Sequence, residues 1–345
     1  LYHSSSKLLL TLSTLNKFDV SGMYKVYDKW PEIARESYES DQDIVDFRDI
    51  DHIIFAGMGG SGALGDIFSA ILSKTKIHVA VIKGYHLPNT VDSKTLVVAT
   101  SISGNTVETL SVLDSAYKTG CNIAAFSAGG KMQDYCMKHK IEYRDIPQLH
   151  SPRASFTGFL YSILKVLGPV LPVKKNDIID SIKELENSSK QISSMNLNEK
   201  NPSLNLAEWI SDTPVIYYPF GLQAAAIRFK NSLQENAKIH AMAEDVIEAC
   251  HNDIVAWERV SDLKPILLEG ANDYVKTKER WKILKIYFEK NKIDYREVLS
   301  VNGSIISKLI NLIYLLDYST IYLAALTGVD PSPIKPIDFI KDRLL

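Results

Sequence analysis

The stretch SISGNTVET, residues 101–109, follows the apolar run TLVVAT and gathers three hydroxyls, Ser101, Ser103 and Thr106, around Gly104. A loop that leaves a strand and opens a helix offers unpaired backbone N–H groups and the positive end of the helix dipole. Hydroxyls add further donors, and a glycine lets the backbone approach a guest closely. The chemistry is anion capture by neutral donors, and a phosphate monoester is the natural guest. The plainer reading is that Ser103 or Thr106 simply caps the helix. Three hydroxyls and a glycine at one strand tip are more than a cap needs.

A second glycine-rich loop, GMGGSG at 57–62, sits between a short apolar run and a helical pattern. Gly57, Gly59 and Gly62 have the spacing of a dinucleotide fingerprint, so a nicotinamide-dependent oxidoreductase is an alternative. That fingerprint expects an acidic residue at the end of the next strand. Here that strand ends VIKGYH, with Lys83 and no carboxylate, and the hydroxyl loop fits dinucleotide binding poorly.

The elements that must position these loops alternate. Apolar runs at 52–56, 77–82, 95–100 and 122–127 read as strands, and 141–146 continues the alternation, with helices at 62–74, 106–120 and 131–139 between them. Strands apolar on both faces and separated by helices form a parallel sheet covered on both sides. In the helix after GMGGSG, Leu64, Ile67, Phe68, Ile71 and Leu72 share one face. Residues 20–48 read as charged helix. A second series follows, with helices at 155–167 and 176–192, a loop at 196–203, a strand at 214–219 and a helix at 222–236. It ends with a strand at 265–269, a helix at 273–291, a strand at 294–300, a long helix at 303–327 and a proline-started helix at 330–344. The segments HIIFAGMGGSGALGDIFSAIL and PVIYYPFGLQAAAIRFKNSLQ both run strand, small-residue loop, helix. The expectation is two related α/β domains, 1–150 and 151–345, each a doubly wound parallel sheet in a flavodoxin-like three-layer sandwich.

Composition narrows the function classes. The 345 residues are 46% hydrophobic and 23% charged, with 39 basic against 41 acidic side chains, an ordinary globular balance. It gives no reason to expect nucleic acid or a membrane as partner. Cys121, Cys136 and Cys250 are odd in number and not in metal-ligand spacing, which favours a reducing, cytoplasmic setting. The greasy stretch 304–326 is interrupted by Lys308, Asn311 and Asp317 and reads as a core helix, not a membrane span. KLLLTLSTL, residues 7–15, lacks a small-residue cleavage site and is not read as a signal peptide.

The two loops together resemble the ligand loops of the sugar isomerase (SIS) domain, in order and spacing. QENAK at 234–238, EACHNDIVAW at 248–257 and a C-terminal DP…K helix narrow the resemblance to the archaeal-type bifunctional phosphoglucose/phosphomannose isomerase family. It spans nearly the whole chain. The resemblance implies an aldose–ketose isomerase that uses neither cofactor nor metal. Gly59, Gly60, Ser61, Ser101, Ser103 and Thr106 would line the phosphosugar pocket. Arg153 would stabilise a cis-enediolate, Glu235 would be the proton-transfer base, His251 would open the ring, and Lys341 would lie near the sugar. Ser332 would be the hydroxyl linked to mannose-6-phosphate use.

The resemblance also implies a homodimer in which the histidine reaches into the partner's site. A continuous helix over 236–250 would set Glu235 and His251 on the order of 24 Å apart at 1.5 Å per residue. Either the connection folds back, or His251 serves the neighbouring subunit, which is the reading preferred here. A different class stays open: a SIS protein that binds a phosphosugar as a signal and catalyses nothing. The Glu235–His251 pair, which a sensor would not need, argues for the enzyme.

Overall fold

The computed structural model describes residues 10–344; the start of the KLLLTLSTL segment lies outside the described residues. Helices α1 (Leu12–Phe18), α2 (Met23–Asp28) and α3 (Trp30–Glu39) precede the first sheet. Then β1 (His52–Ala56), α4 (Gly59–Leu72), β2 (His78–Ile82), β3 (Thr95–Ser101), α5 (Val107–Thr119), β4 (Asn122–Ser127), α6 (Gly130–His139) and β5 (Glu142–Asp145) alternate as expected. The five strands are all parallel, in the order β2-β1-β3-β4-β5.

The connecting helices are α7 (Phe156–Val166), α8 (Lys175–Ile192) and α9 (Pro202–Trp209). The loop expected at 196–203 ends early, because Asn201 accepts a hydrogen bond from the Leu204 amide and Pro202 begins α9. An Asn-Pro pair signals a helix start as well as a turn. Strands β6 (Pro214–Tyr218), β7 (Met242–Asp245), β8 (Lys264–Glu269) and β9 (Arg296–Leu299) form a second parallel sheet, ordered β7-β6-β8-β9. Its helices are α10 (Gln223–Ser232), α11 (Val246–Ala249), α12 (Val275–Lys290), α13 (Ile305–Leu326) and α14 (Lys335–Lys341). Strand β7 has no signal in the sequence: Met-Ala-Glu-Asp favours a helix, and pairing along β6 overrides that preference.

Alternating residues of each strand enter different cores. Ile53 and Phe55 face a central helical layer, while Ile54 and Ala56 face α5 and α6. In the second sheet Ile216 and Tyr218 face the same central layer, and Val215 and Tyr217 face α11 and α12. The central core is therefore one continuous cluster, built on α4, α7, α8, α10 and α13. Leu64, Ile67, Phe68 and Leu72 are buried in it, and Ile71 is half-buried at its margin. Helix α13 is long and apolar enough to cross a membrane, but 89% of its most apolar window is buried inside the protein. It packs on α8, α9, α10 and α4, and also on α1 and α2. The amino-terminal helices thus lie against the helices of the second half.

Candidate active site

In the order β2-β1-β3-β4-β5 the winding reverses between β1 and β3, and a doubly wound sheet binds ligands beyond the carboxyl ends of its strands at that point. Both loops singled out in the sequence sit there. Neither α4 nor α5 receives a side-chain cap, so the amides of both first turns face the cleft unsatisfied by side chains. Thr106 holds the N-cap position of α5 without capping it; its hydroxyl instead accepts from Ser101 Oγ at 2.9 Å.

Ser101 is fully buried and also accepts from the Thr106 amide at 3.3 Å. It therefore acts on the loop by fixing Thr106, while Ser103 and Thr106 themselves are partly exposed. Ser61 Oγ accepts from the Ile102 amide at 3.2 Å, which ties the two loops to one another. Gly104 adopts φ +70°, and a Cβ there would lie 1.8 Å from the Gly129 carbonyl oxygen. Only glycine fits that position.

The second half delivers the charged groups. A Cβ on Gly60 would lie 3.5 Å from the Arg153 backbone, so the first loop abuts the arginine. Arg153 is buried, and its guanidinium is held on every side. Nε donates to Asn236 Oδ1 at 2.7 Å, Nη2 to the carbonyls of Pro331 at 2.7 Å and Ser332 at 3.0 Å, and Nη1 faces Glu235 Oε2 at 3.4 Å. Glu235 and Asn236 sit on a π-helical turn, Leu233–Ala237, that continues α10 where a regular helix was expected. Such turns re-aim side chains and recur at functional sites.

Lys238 closes that turn in the left-handed conformation. Its ammonium bonds the Glu235 carbonyl, and reaches Pro331 O at 3.2 Å and Pro333 O at 2.8 Å. Burial, and then the nearby Arg153 charge, push its pKa below the ordinary lysine value.

Behind this constellation lies a buried ion pair. Arg228 Nη2 meets Asp317 Oδ2 at 2.7 Å, and the same nitrogen donates to the Arg153 carbonyl at 2.8 Å. Ser232 and Tyr27 satisfy the remaining Asp317 lone pairs. Asn236 Nδ2 donates to Thr320 Oγ1 at 2.8 Å, so both ends of this buried amide are used. Asn236, Lys238, Arg228 and Asp317 have no signal of their own in the sequence. Asn236 and Lys238 lie within QENAK, and their neighbours become visible only when α13 packs behind the turn.

The chain thus brings together Gly59, Gly60, Ser61, Ser101, Ser103, Thr106, Arg153, Glu235 and Ser332. His251 stands apart, and among the described residues the Lys341 side chain makes no hydrogen bond or ion pair with this group. Helix α10 runs back from the carboxyl end of β6, so Glu235 lies at the amino end of the second sheet, whereas His251 follows β7 and α11 at its carboxyl end. Strand β7 alone spans roughly 13 Å at 3.3 Å per residue. No continuous helix joins the two residues; a left-handed residue, a strand and a short helix do. The His251 side chain is exposed, and among the described residues it bonds no side chain. Lys341 ends α14, which has no buried residue. Lys83, at the position where a dinucleotide site carries an acid, pairs with Asp66 at 2.5 Å.

Residues 199–344 match the family model for the bacterial phospho-glucose isomerase C-terminal SIS domain. The chain is 34% identical over 337 residues to the bifunctional phosphoglucose/phosphomannose isomerase of Caldicellulosiruptor bescii, covering 93% of this chain and 98% of that protein. It is 31% identical over 343 residues to the enzyme of that name from Thermoplasma volcanium, covering 98% and 99% of the two chains. Among solved structures it superposes on the tagatose-6-phosphate ketose/aldose isomerase of Escherichia coli with a TM-score of 0.67 at 14% identity, over 92% of this chain and 96% of that one. That likeness carries the fold: two parallel sheets in α/β layers of the SIS type. With relatives matched along nearly its full length, the chain belongs to the bifunctional phosphoglucose/phosphomannose isomerase family.

Proposed function

We propose that this enzyme interconverts glucose-6-phosphate, and also mannose-6-phosphate, with fructose-6-phosphate. The observation that supports it most is the convergence of an uncapped, hydroxyl-lined pair of helix N-termini with an Arg153–Glu235 pair in one cleft. The loops anchor the phosphate, and the far end of the open-chain sugar lies against the carboxylate. Glu235 removes a proton from one of C1 and C2 and returns it to the other. Negative charge develops on oxygen in the cis-enediolate, and the fixed guanidinium of Arg153 stabilises it. Ser332, whose carbonyl Arg153 already binds, presents its hydroxyl near C2, where glucose and mannose differ.

Ring opening needs an acid near neutral pH, which histidine supplies. Glu235 and His251 of one chain lie at opposite ends of a sheet, so we assign His251 to the site of a second copy in a homodimer. Lys341 is assigned to the sugar end of the site from its place in the C-terminal helix. We place the enzyme in a cytoplasmic setting on its three free cysteines, and divide it at residue 150 into two SIS units. A coupled assay of the purified protein, from each aldose phosphate to fructose-6-phosphate, tests the reading. Saturable binding of fructose-6-phosphate without turnover would instead support the sensor alternative.

A further inference from the structure

His150 has no role in the mechanism above, yet it touches the site. Its Nε2 lies 3.2 Å from Ser332 Oγ. Its backbone is held at φ 58°, a region non-glycine residues seldom occupy. The turn that imposes this is tightly bonded. Ser155 Oγ accepts from the Leu149 amide at 2.8 Å and donates to the carbonyls of Leu149 and Ser151. The main chain of Ser332 is equally fixed: its amide donates to Asp330 Oδ1 at 2.9 Å and its carbonyl accepts from Arg153 at 3.0 Å. The His150 contact bears on the Ser332 side chain, whose hydroxyl proton can turn.

We propose that His150 is a positioning residue: it donates from Nε2–H to Ser332 Oγ, turns the Ser332 O–H toward the substrate, and so sets discrimination between sugars epimeric at C2. The proposal rests on the assignment of Ser332 to C2 recognition made above. The tautomer follows from the other ring nitrogen. Nδ1 is buried and has no hydrogen-bond partner among the described residues. A buried N–H without an acceptor is rarer and costlier than a lone pair without a donor, so the neutral ring carries its proton on Nε2. Burial lowers the ring's pKa and so favours the neutral form; Asp19 opposes it, Arg153 adds to it and Asp330 opposes it. With Nε2–H donating, the serine oxygen is occupied as acceptor and its own proton is left for a sugar oxygen.

The test is the ratio of kcat/KM for mannose-6-phosphate to that for glucose-6-phosphate. In His150→Phe the ratio should move by about tenfold, the scale of one hydrogen bond. His150→Gln, whose amide can donate from the same place, should return it to within about twofold of wild type. On a Ser332→Ala background, His150→Phe should have no further effect on the ratio. A ratio unchanged in His150→Phe, or still shifted by it when Ser332 is absent, overturns the proposal. The nitrogen-15 NMR spectrum of histidine-labelled wild-type protein, with His150 assigned by its loss in His150→Gln, reads the tautomer without any assay. A proton on Nε2 supports the proposal and a proton on Nδ1 overturns it, including where His150→Phe fails to fold. Wild-type protein inactive on both sugars overturns the isomerase reading itself and the selectivity role with it, and that failure is distinct because it needs no variant.

Discussion

Glu235 and His251, only 16 positions apart in the chain, stand at opposite ends of the same four-stranded sheet. The proposed sharing of the site predicts that two copies of the chain supply them to one substrate molecule. Mixing inactive Glu235→Gln with inactive His251→Ala, followed by dissociation and reassembly, should restore activity. Random pairing makes about half the dimers mixed, each with one of two sites complete, so recovery should approach about a quarter of wild type. No recovery despite demonstrated subunit exchange would place both residues in one chain's site.

Glu235→Gln keeps the shape of the side chain and its place on the π-helical turn but cannot take up a proton. We expect kcat to fall by roughly 10²–10⁴-fold, the usual worth of a general base. Binding of fructose-6-phosphate, followed by calorimetry, should persist. Near-normal turnover would remove Glu235 from the chemistry.

The hydroxyl loop should govern affinity more than rate. Replacing Ser101 and Thr106 together with alanine removes one partly exposed donor and the buried serine that orients it. KM for fructose-6-phosphate should rise by at least about tenfold, on the scale of a hydrogen bond to a charged group. A folded double variant with unchanged KM would move the phosphate elsewhere.

Asn236 and Asp317 both support Arg153, but by different means, and their variants should differ in kind. Asn236→Ala frees the guanidinium on one side and leaves the arginine's Nε–H without its acceptor. Activity should drop about tenfold or more, with stability lowered by about 1–3 kcal/mol. Asp317→Ala leaves Arg228 charged, buried and unpaired. That should lower the unfolding free energy by about 3–5 kcal/mol in urea titration. A fall in activity without loss of stability in Asp317→Ala would contradict its assignment to the fold.

The alternating sheet was legible because its inner strands β1, β3 and β4 are apolar on both faces and its helices end at turn residues such as Gly120, which caps α5 in the left-handed conformation. The two glycine- and hydroxyl-rich loops were legible because local composition alone marks them. Strand β7 was not, because Met-Ala-Glu-Asp carries no strand pattern and lies at an edge, and pairing with β6 makes it a strand. Asn236 was not, because its function depends on Arg153 and Thr320, each more than eighty positions away. The separation of Glu235 from His251 was anticipated, but the helix supposed to cause it is absent, and the parallel crossover does so instead.

The hydrogen bond from Arg228 to the Arg153 carbonyl joins Arg153 directly to the ion pair in the shared core. That core is common to both sheets, so little of the cleft can loosen while the remainder of the protein stays intact. On heating, loss of activity and loss of structure should therefore follow a single curve. Selection for a more heat-resistant core would reach the cleft directly through that hydrogen bond.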